Sequence, residues 1–189
     1  MTSPSRLVRY AELILHRAES INALQIEFLK YLQARYHWAH WEGALSGPSL
    51  VNIYEFFVDH NLLDNQAAKP SLEIQAAFEL ADKAAVISQF AIEKKDTVAE
   101  QALDLFTQIY GGQAGNFALL GMATGGVYVA GGIAPKIIKK LIDGTFMHAF
   151  LDKDARYQEL LKAMPVKVII NGNVGLMGAT LAATKLLHY

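Results

Sequence analysis

Apolar side chains in the first third of the chain recur every three or four positions, which is the spacing of amphipathic helices. We predict a first helix that is capped by Ser20 and ends near His37. Its buried stripe consists of Ile21, Leu24, Phe28, Leu32 and Tyr36. A second helix is predicted after the corner Ser46-Gly47-Pro48, because proline is well tolerated in the first helical turn. Its apolar stripe consists of Leu50, Tyr54, Phe57 and Val58.

Two longer helical stretches are predicted in the middle of the chain, after a loop at residues 64–70. One runs from about Ser71 to Glu93. The other begins at Thr97, which forms a capping-box pattern with Glu100. Residues 94–96 are expected to form the hinge between them.

The hydrophobic period changes near residue 125, where the sequence "GGVYVAGG" is typical of a short strand buried on both faces. We expect Pro135 to start a helix, and two smaller helices to follow at 146–150 and 156–164. Residues 166–170 form a second predicted strand, and a glycine-rich turn then leads into a final helix. This order predicts an α/β fold, a helix-rich lobe with a small parallel sheet and a right-handed crossover.

Composition limits the class of protein to a single globular domain, because the chain has 189 residues of which 52% are apolar. The formal net charge is −1 and the basic residues are scattered, which argues against nucleic acid as a partner. The absence of cysteine fits a reducing compartment, so we expect a cytoplasmic location. Residues 111–135 carry no charge, but their glycine pairs favour helix, turn, strand and turn over a membrane span. We therefore expect no membrane partner.

Three features carry candidate chemistry, and spacing alone leaves two of them open. The glycine-rich segments "VYVAGGIAPK" and "IINGNVGLMGA", at the ends of the two predicted strands, could flank a nucleotide or form tight turns, and neither matches G-x-G-x-x-G. Glu42 could be an exposed loop residue or a carboxylate that contacts a ligand. His37 and His40 have helical spacing for a metal, but no third ligand is near and two tryptophans favour packing, so no metal site is expected.

Three blocks of sequence resemble the C-terminal part of bacterial-type glucokinase, an ATP-dependent hexose kinase of the actin-like ATPase superfamily. They are "LQARYHWAHWEGALSGPSLVNIYEFF", "ALDLFTQIYGGQAGNFALLGMATGGVYVAGGIAPKI" and "NGNVGLMGA". The resemblance runs from about Ser20 to the end, so it implies a single domain at 20–189 after a non-family segment at 1–19. That domain would be like the larger, C-terminal domain of a ribonuclease H-like sugar kinase.

The resemblance also implies roles for residues of this chain. Glu42 matches the family's sugar-binding glutamate, and Ser49 stands where the family usually has glycine. The strand and its turns resemble the adenosine side of the nucleotide site. That match would place four glycines beside the nucleotide and two further residues in the wall of its pocket, namely Gly125, Gly126, Gly131, Gly132, Ile133 and Pro135.

The family's other motifs have no counterpart in the chain, which makes a C-terminal fragment the expectation. These motifs are an Asp-x-Gly-Gly-Thr phosphate loop, an Asn-Asp pair that holds the catalytic base, a second glycine-rich phosphate loop and a Gly-Glu-Gly-Gly-His stretch. The resemblance implies phosphorylation of glucose to glucose 6-phosphate in glycolysis, with ATP and Mg²⁺, by a homodimer. No residue of this chain is assigned a catalytic role. The alternative is a non-catalytic sugar- or nucleotide-binding module or a structural remnant.

Overall fold

The computed structural model describes residues 22–37, 41–60 and 69–186. Its first half is helical and consists of α1 (Ala23–Tyr36), α2 (Trp41–Ala44), α3 (Gly47–His60), α4 (Leu72–Phe78), α5 (Lys83–Ile92) and α6 (Thr97–Leu120). Its second half consists of β1 (Val127–Val129), α7 (Ile138–Leu141), α8 (Thr145–Leu151), α9 (Ala155–Lys162), β2 (Val166–Val168) and α10 (Val174–Leu186). The predicted helix-rich α/β architecture is confirmed.

Several helices begin at residues other than those predicted, because polar side chains near the predicted ends cap them. Asn22 caps α1 by accepting a hydrogen bond from the Gln25 amide, whereas Ser20 lies outside the described residues. Asp96, not Thr97, caps α6, and its carboxylate accepts from the Ala99 amide at 2.8 Å. The prediction of a capping box at Thr97 was therefore wrong by one residue.

The predicted single helix from Ser71 to Glu93 was also wrong, because the structure divides it into α4 and α5. Ser71 caps α4, and its hydroxyl accepts from the Ile74 amide at 3.2 Å. Asp82 then accepts from the Ala85 amide at 2.9 Å and starts α5. A carboxylate that caps a new helix competes with continuation of the old one, so the chain turns between Glu79 and Asp82.

Helix α6 is the centre of the core and packs against α3, α5 and α8. The largest fully buried side chains of the core include Phe56 of α3, Phe106 of α6 and Phe150 of α8. The contact with α8 is close because of Gly111 and Gly115. A Cβ atom on Gly111 would overlap the Phe146 carbonyl oxygen, and one on Gly115 would overlap that of Phe150.

Strands β1 and β2 form a parallel two-stranded sheet in which Val127, Tyr128 and Val129 pair with Val166, Lys167 and Val168. The predicted small parallel sheet is confirmed, but the prediction that β1 is buried on both faces was wrong. Val129 is buried, whereas the Tyr128 side chain is 58% exposed because no described element covers that face. Residues 111–135 do form helix end, turn, strand and turn, and no helix within the described ranges has the length and apolarity to span a membrane.

The segment after β1 contains a further difference from the sequence prediction. Pro135 does not start a helix, since residues 131–137 form turns and α7 begins only at Ile138. In those turns the amides of Lys136 and Ile137 donate to the Ile133 carbonyl, at 2.9 and 3.2 Å. The chain thus makes a tight connection at the carboxyl end of β1 before it becomes helical.

Candidate functional site

Glu42 lies in the one-turn helix α2, at the edge of a cavity between α1 and α3. The cavity has a volume of about 220 Å³ and is lined by Leu32, Tyr36, Glu42, Gly43, Ser46, Pro48 and Asn52. The Glu42 side chain is exposed, and its carboxylate accepts no hydrogen bond from the described part of the chain. A carboxylate that is free at the edge of a cavity can accept hydrogen bonds from a ligand.

The backbone that carries Glu42 is fixed by the corner at residues 46–49. The Ser46 hydroxyl donates to the Glu42 carbonyl oxygen at 2.6 Å. The Ser49 hydroxyl donates to the Ser46 carbonyl at 2.7 Å and accepts from the Ser46 amide at 2.7 Å. Ser49 is fully buried, so these bonds also account for the hydroxyl at a position where glycine was expected. Pro48 adds stiffness, because its ring fixes φ in the first turn of α3.

A second pair of hydrogen bonds ties three helices together beneath Glu42. Asn52, on α3, donates from Nδ2 to the Gly43 carbonyl at 3.3 Å. The Tyr36 hydroxyl, on α1, donates to Asn52 Oδ1 at 2.8 Å. Asn52 therefore connects α1 to α2 and helps to set the position of α2 and of Glu42 on it.

Helix α1 is also held against α3 by a network of polar side chains. Arg35 Nη1 lies 2.5 Å from Glu55 Oε2 and donates to the Tyr31 hydroxyl at 2.7 Å. The Tyr31 hydroxyl donates to Asp59 Oδ2 at 3.1 Å. Burial raises the pKa of Tyr31, and the neighbouring Asp59 raises it further against the opposing effect of Arg35. Tyr31 is therefore a neutral donor at physiological pH, and the network fixes the wall that carries Tyr36.

Sequence reasoning found Glu42 but missed Tyr36 and Asn52 as residues of this site. Tyr36 was assigned to the apolar stripe of α1, although its side chain is 42% exposed. Asn52 interrupts the apolar sequence "LVNIY" and is buried. A polar residue within an apolar helix face is a signal that it has a specific partner, and this signal could have identified Asn52.

The glycines around β1 lie at two opposite ends of the strand. Gly131 and Gly132 follow its carboxyl end, whereas Gly125 and Gly126 precede its amino end. A Cβ atom on Gly131 or Gly132 would meet nothing within 4 Å, so the backbone is open there, and the φ of +106° at Gly131 is one that other residues rarely adopt. Because β1 and β2 are parallel, the turn at 171–173 after β2 lies at the same sheet edge as Gly131 and Gly132. Ligands of open α/β sheets bind at this carboxyl edge.

Gly126 has a structural reason to be glycine that does not involve a ligand. Its φ of +119° is rarely adopted by other residues, and a Cβ atom would lie 3.0 Å from the Pro165 carbonyl oxygen. Because Gly125 and Gly126 lie at the amino end of β1, the structure does not bring them together with Gly131 and Gly132 at one edge of the sheet. Ile133 is partly buried against the core, and Pro135 is half-buried in the same connection.

A second cavity lies between α5 and the connection that follows Gly132. Its volume is about 340 Å³, and its lining consists of Ala85, Ser88, Gln89, Ile92, Glu93, Lys136 and Lys139. Lys136 and Lys139 give one wall positive charge, while Glu93 on the opposite wall pairs with Lys95 at 2.7 Å. The positive wall of the cavity favours an anionic group.

No group of three or more histidine or acidic side chains converges on a metal site within residues 22–37, 41–60 and 69–186. His37 occupies a left-handed conformation at the end of α1, and His40 lies outside these ranges.

This chain is similar to known glucokinases both in fold and in sequence. The crystal structure of glucokinase from an Antarctic psychrotroph superposes with a TM-score of 0.66 at 24% identity, covering 85% of this chain and 45% of that one. The glucokinase of Synechocystis sp. is 40% identical over 171 residues, which cover 86% of this chain and 48% of that protein. The glucokinase of Mesorhizobium japonicum is 45% identical over 137 residues, 72% of this chain and 36% of that protein.

The family model described as glucokinase matches residues 17–186. The protein therefore has the fold of a sugar kinase. The chain belongs to the glucokinase family. The chain corresponds to the C-terminal part of these proteins and spans about half the length of the curated relatives it matches.

Proposed function

We propose that this chain is the C-terminal part of an ATP-dependent glucokinase that converts glucose to glucose 6-phosphate in glycolysis, in the cytoplasm. The observation that carries the proposal is the position of Glu42. A carboxylate that has no hydrogen-bond partner among the described residues lies at a cavity edge, on a backbone held by the Ser46–Ser49 corner, in a chain of the glucokinase family.

Glu42 accepts hydrogen bonds from sugar hydroxyl groups in this proposal. An ionised carboxylate is a strong acceptor, and its bonds to hydroxyl groups are short and charge-assisted. The fixed corner keeps the carboxylate in place before the sugar arrives, which lowers the entropy lost on binding. Asn52 and Tyr36 act as positioning residues for α2.

The adenosine part of ATP binds, in the same proposal, at the carboxyl edge of the sheet. Gly131 and Gly132 supply an open backbone there, and Ile133 and Pro135 shape the pocket wall. The roles of Gly125 and Gly126 toward the nucleotide stay a prediction, since they lie at the opposite end of β1. ATP supplies the phosphoryl group that is transferred to the sugar 6-hydroxyl.

The described residues of this chain do not fit a Mg²⁺ site, so no residue here is assigned to Mg²⁺. We also assign no catalytic base to this chain, because the aspartate of the family pattern has no match in its sequence. The phosphate loops, the base and the ligands of Mg²⁺ belong to the N-terminal half in this proposal. The complete protein acts as a homodimer.

An enzyme-coupled assay of glucose phosphorylation tests the proposal. We expect no rate above background from the 189-residue chain alone, because positioning and charge stabilisation of the phosphoryl group are lacking. We expect ATP-dependent activity when the chain is joined to the N-terminal half of the Synechocystis glucokinase. An inactive chimera that folds and binds neither glucose nor ATP would refute the kinase proposal. A chimera that binds one of them without turnover would favour the non-catalytic binding module.

A further inference from the structure

Lys140, in the short helix α7, is the centre of a polar cluster between three helices. Its ammonium group forms an ion pair with Asp104 of α6, and it donates to Asp143 Oδ2 at 2.6 Å and to Thr145 Oγ1 at 3.1 Å. An ammonium group has three N–H donors, so these three acceptors use all of them. The Lys140 side chain is only 16% exposed. The cluster therefore joins α6, α7 and the start of α8 through one side chain.

The surroundings of Lys140 keep its side chain charged and in place. Partial burial lowers the pKa of Lys140, but the hydrogen bonds to Asp104 and Asp143 raise it more, so the pKa lies above its ordinary value. Asp143 is fixed in turn, because its Oδ1 accepts from the Thr145 amide at 2.8 Å. This bond closes the corner at Gly144, whose φ of +103° other residues rarely adopt. The ammonium group therefore binds a carboxylate that the backbone itself fixes.

Stability alone does not account for the cluster. The side chains of Asp104 and Asp143 are 49% and 38% exposed, and ion pairs with exposed carboxylates contribute little to the free energy of unfolding. The inner face of this segment is already buried through Ala134, Ile137 and Leu141. Apolar contacts are non-directional, so they hold α7 against the core without fixing its orientation. The directional bonds of Lys140 supply that orientation.

Helix α7 is the far end of the connection that carries Gly131 and Gly132. The Lys140 amide donates to the Ile137 carbonyl at 2.8 Å, and the Ile137 amide donates to the Ile133 carbonyl at 3.2 Å. One turn of helix is too short to be stable by itself, so α7 depends on its neighbours. The connection thus runs between two anchors, which are β1 at its start and Lys140 at its end. The orientation of α7 therefore limits how the glycine turn is presented at the sheet edge.

The same anchor sets the positive wall of the second cavity. Lys139 is adjacent to Lys140 in sequence, yet it lines the cavity against α5, whereas Lys140 binds α6. Lys136 lines the cavity from the connection itself. Because Lys140 holds α7 against α6, it also fixes the side from which the other two lysines face the cavity.

We propose that Lys140 is a positioning residue for the nucleotide, which holds the connection at residues 131–137 through its ion pair with Asp104. The inference rests on the proposed function, because it requires adenosine to bind at the carboxyl edge of the sheet. The cluster keeps the open glycine turn in one conformation before the nucleotide arrives, which lowers the entropy lost on binding. Lys140 does not touch the nucleotide in this proposal, since its three donors are used within the protein.

Titration of AMP into the isotope-labelled 189-residue chain, followed by NMR, tests this role without glucose or turnover. The affinity is read from the amide shifts of Gly131 and Gly132. We expect Lys140→Met and Asp104→Asn each to weaken AMP binding by about three- to tenfold, because the turn then samples more conformations. Amide exchange over residues 131–137 should become about tenfold faster in both variants, while exchange in the rest of α6 and in α8 stays unchanged.

Lys162→Met is the matched control, because Lys162 forms an exposed ion pair with Glu159 on α9 and should change neither quantity. An AMP affinity that is the same in the unmodified chain and in both cluster variants would overturn the role of Lys140 and leave the nucleotide edge supported. Faster exchange throughout α6 and α8 would also overturn it, because Lys140 would then stabilise the fold as a whole. If neither glycine amide of the unmodified chain responds to AMP, the proposed nucleotide edge is refuted together with this role.

Discussion

Adding one methyl group at two adjacent positions of α6 should change the stability of the protein in opposite directions. Gly111→Ala places a Cβ atom into the Phe146 carbonyl oxygen, whereas Gly112→Ala places one 4.0 Å from its nearest neighbours, the Ala149 carbonyl oxygen and Lys153 Nζ. Both substitutions improve helix propensity by about 1 kcal/mol. The overlap at Gly111 is with backbone, so α8 must move to relieve it, and overpacking of this kind costs about 3 kcal/mol.

The expected net effects are about 2 kcal/mol of destabilisation for Gly111→Ala and about 1 kcal/mol of stabilisation for Gly112→Ala. For a chain of this size the first lowers the Tm by roughly 4–8 °C and the second raises it by roughly 2–4 °C. Urea unfolding followed by circular dichroism measures the change in the free energy of unfolding for each variant. Equal shifts for the two variants, or a Gly111→Ala protein as stable as the unmodified one, would refute the close α6–α8 packing.

Three further predictions concern single side chains. The Tyr54 hydroxyl is buried without a hydrogen-bond partner among the described residues, so Tyr54→Phe should raise the free energy of unfolding by about 1 kcal/mol. A loss of stability in urea unfolding would show that the hydroxyl has a partner. Hydrogen bonds from Arg156 lower the pKa of Asp154 to about 2. The ionised Asp154 carboxylate therefore stabilises the fold fully above pH ~4, and this stabilisation is lost as the pH falls through about 2. An NMR titration midpoint for Asp154 near the ordinary value of about 3.9 would contradict this. Asn52→Ala removes the bonds to Tyr36 and Gly43 and should weaken glucose binding by the completed protein several-fold, which calorimetry measures. Unchanged affinity would show that Asn52 does not position Glu42.

The interiors of the helices were predictable, whereas several helix ends were not. The apolar stripe of α3 fixes its buried face, because a helix must bury one side. The helix ends depend on which nearby polar side chain caps the first turn. Asp82 and Asp96 are the caps because their carboxylates accept hydrogen bonds from amides three residues further along the chain. Asp96 also accepts from the Ser71 amide at 2.8 Å. The bond between Ser71 and Asp96 joins residues 25 positions apart and cannot be inferred from local sequence.

Burial at the second half of the fold was the least predictable feature. The sequence of β1 is that of a doubly buried strand, yet the Tyr128 side chain is exposed because no described element covers that face of the sheet. Composition identifies a residue run as a strand but does not specify which elements pack on its faces, so the exposure of Tyr128 could not be inferred from local sequence.

The candidate site was predictable only in its central residue. Glu42 was identified by resemblance, since spacing alone did not distinguish an exposed loop residue from a carboxylate that contacts a ligand. The corner Ser46-Gly47-Pro48 was also visible in the sequence. Its connection to Asn52 and Tyr36 depends on how α1 and α3 pack, which local spacing does not specify.

Calorimetric titration of glucose into the completed chimera tests most directly the proposed role of Glu42 in binding glucose. A charge-assisted hydrogen bond contributes roughly 1.5 to 3 kcal/mol, so Glu42→Gln should weaken glucose affinity by about ten- to a hundredfold. The Tm should stay unchanged, because the carboxylate is exposed and has no partner in the described part of the chain. Unchanged glucose affinity in Glu42→Gln, or a large fall in Tm in its place, would contradict the account and make Glu42 a structural residue.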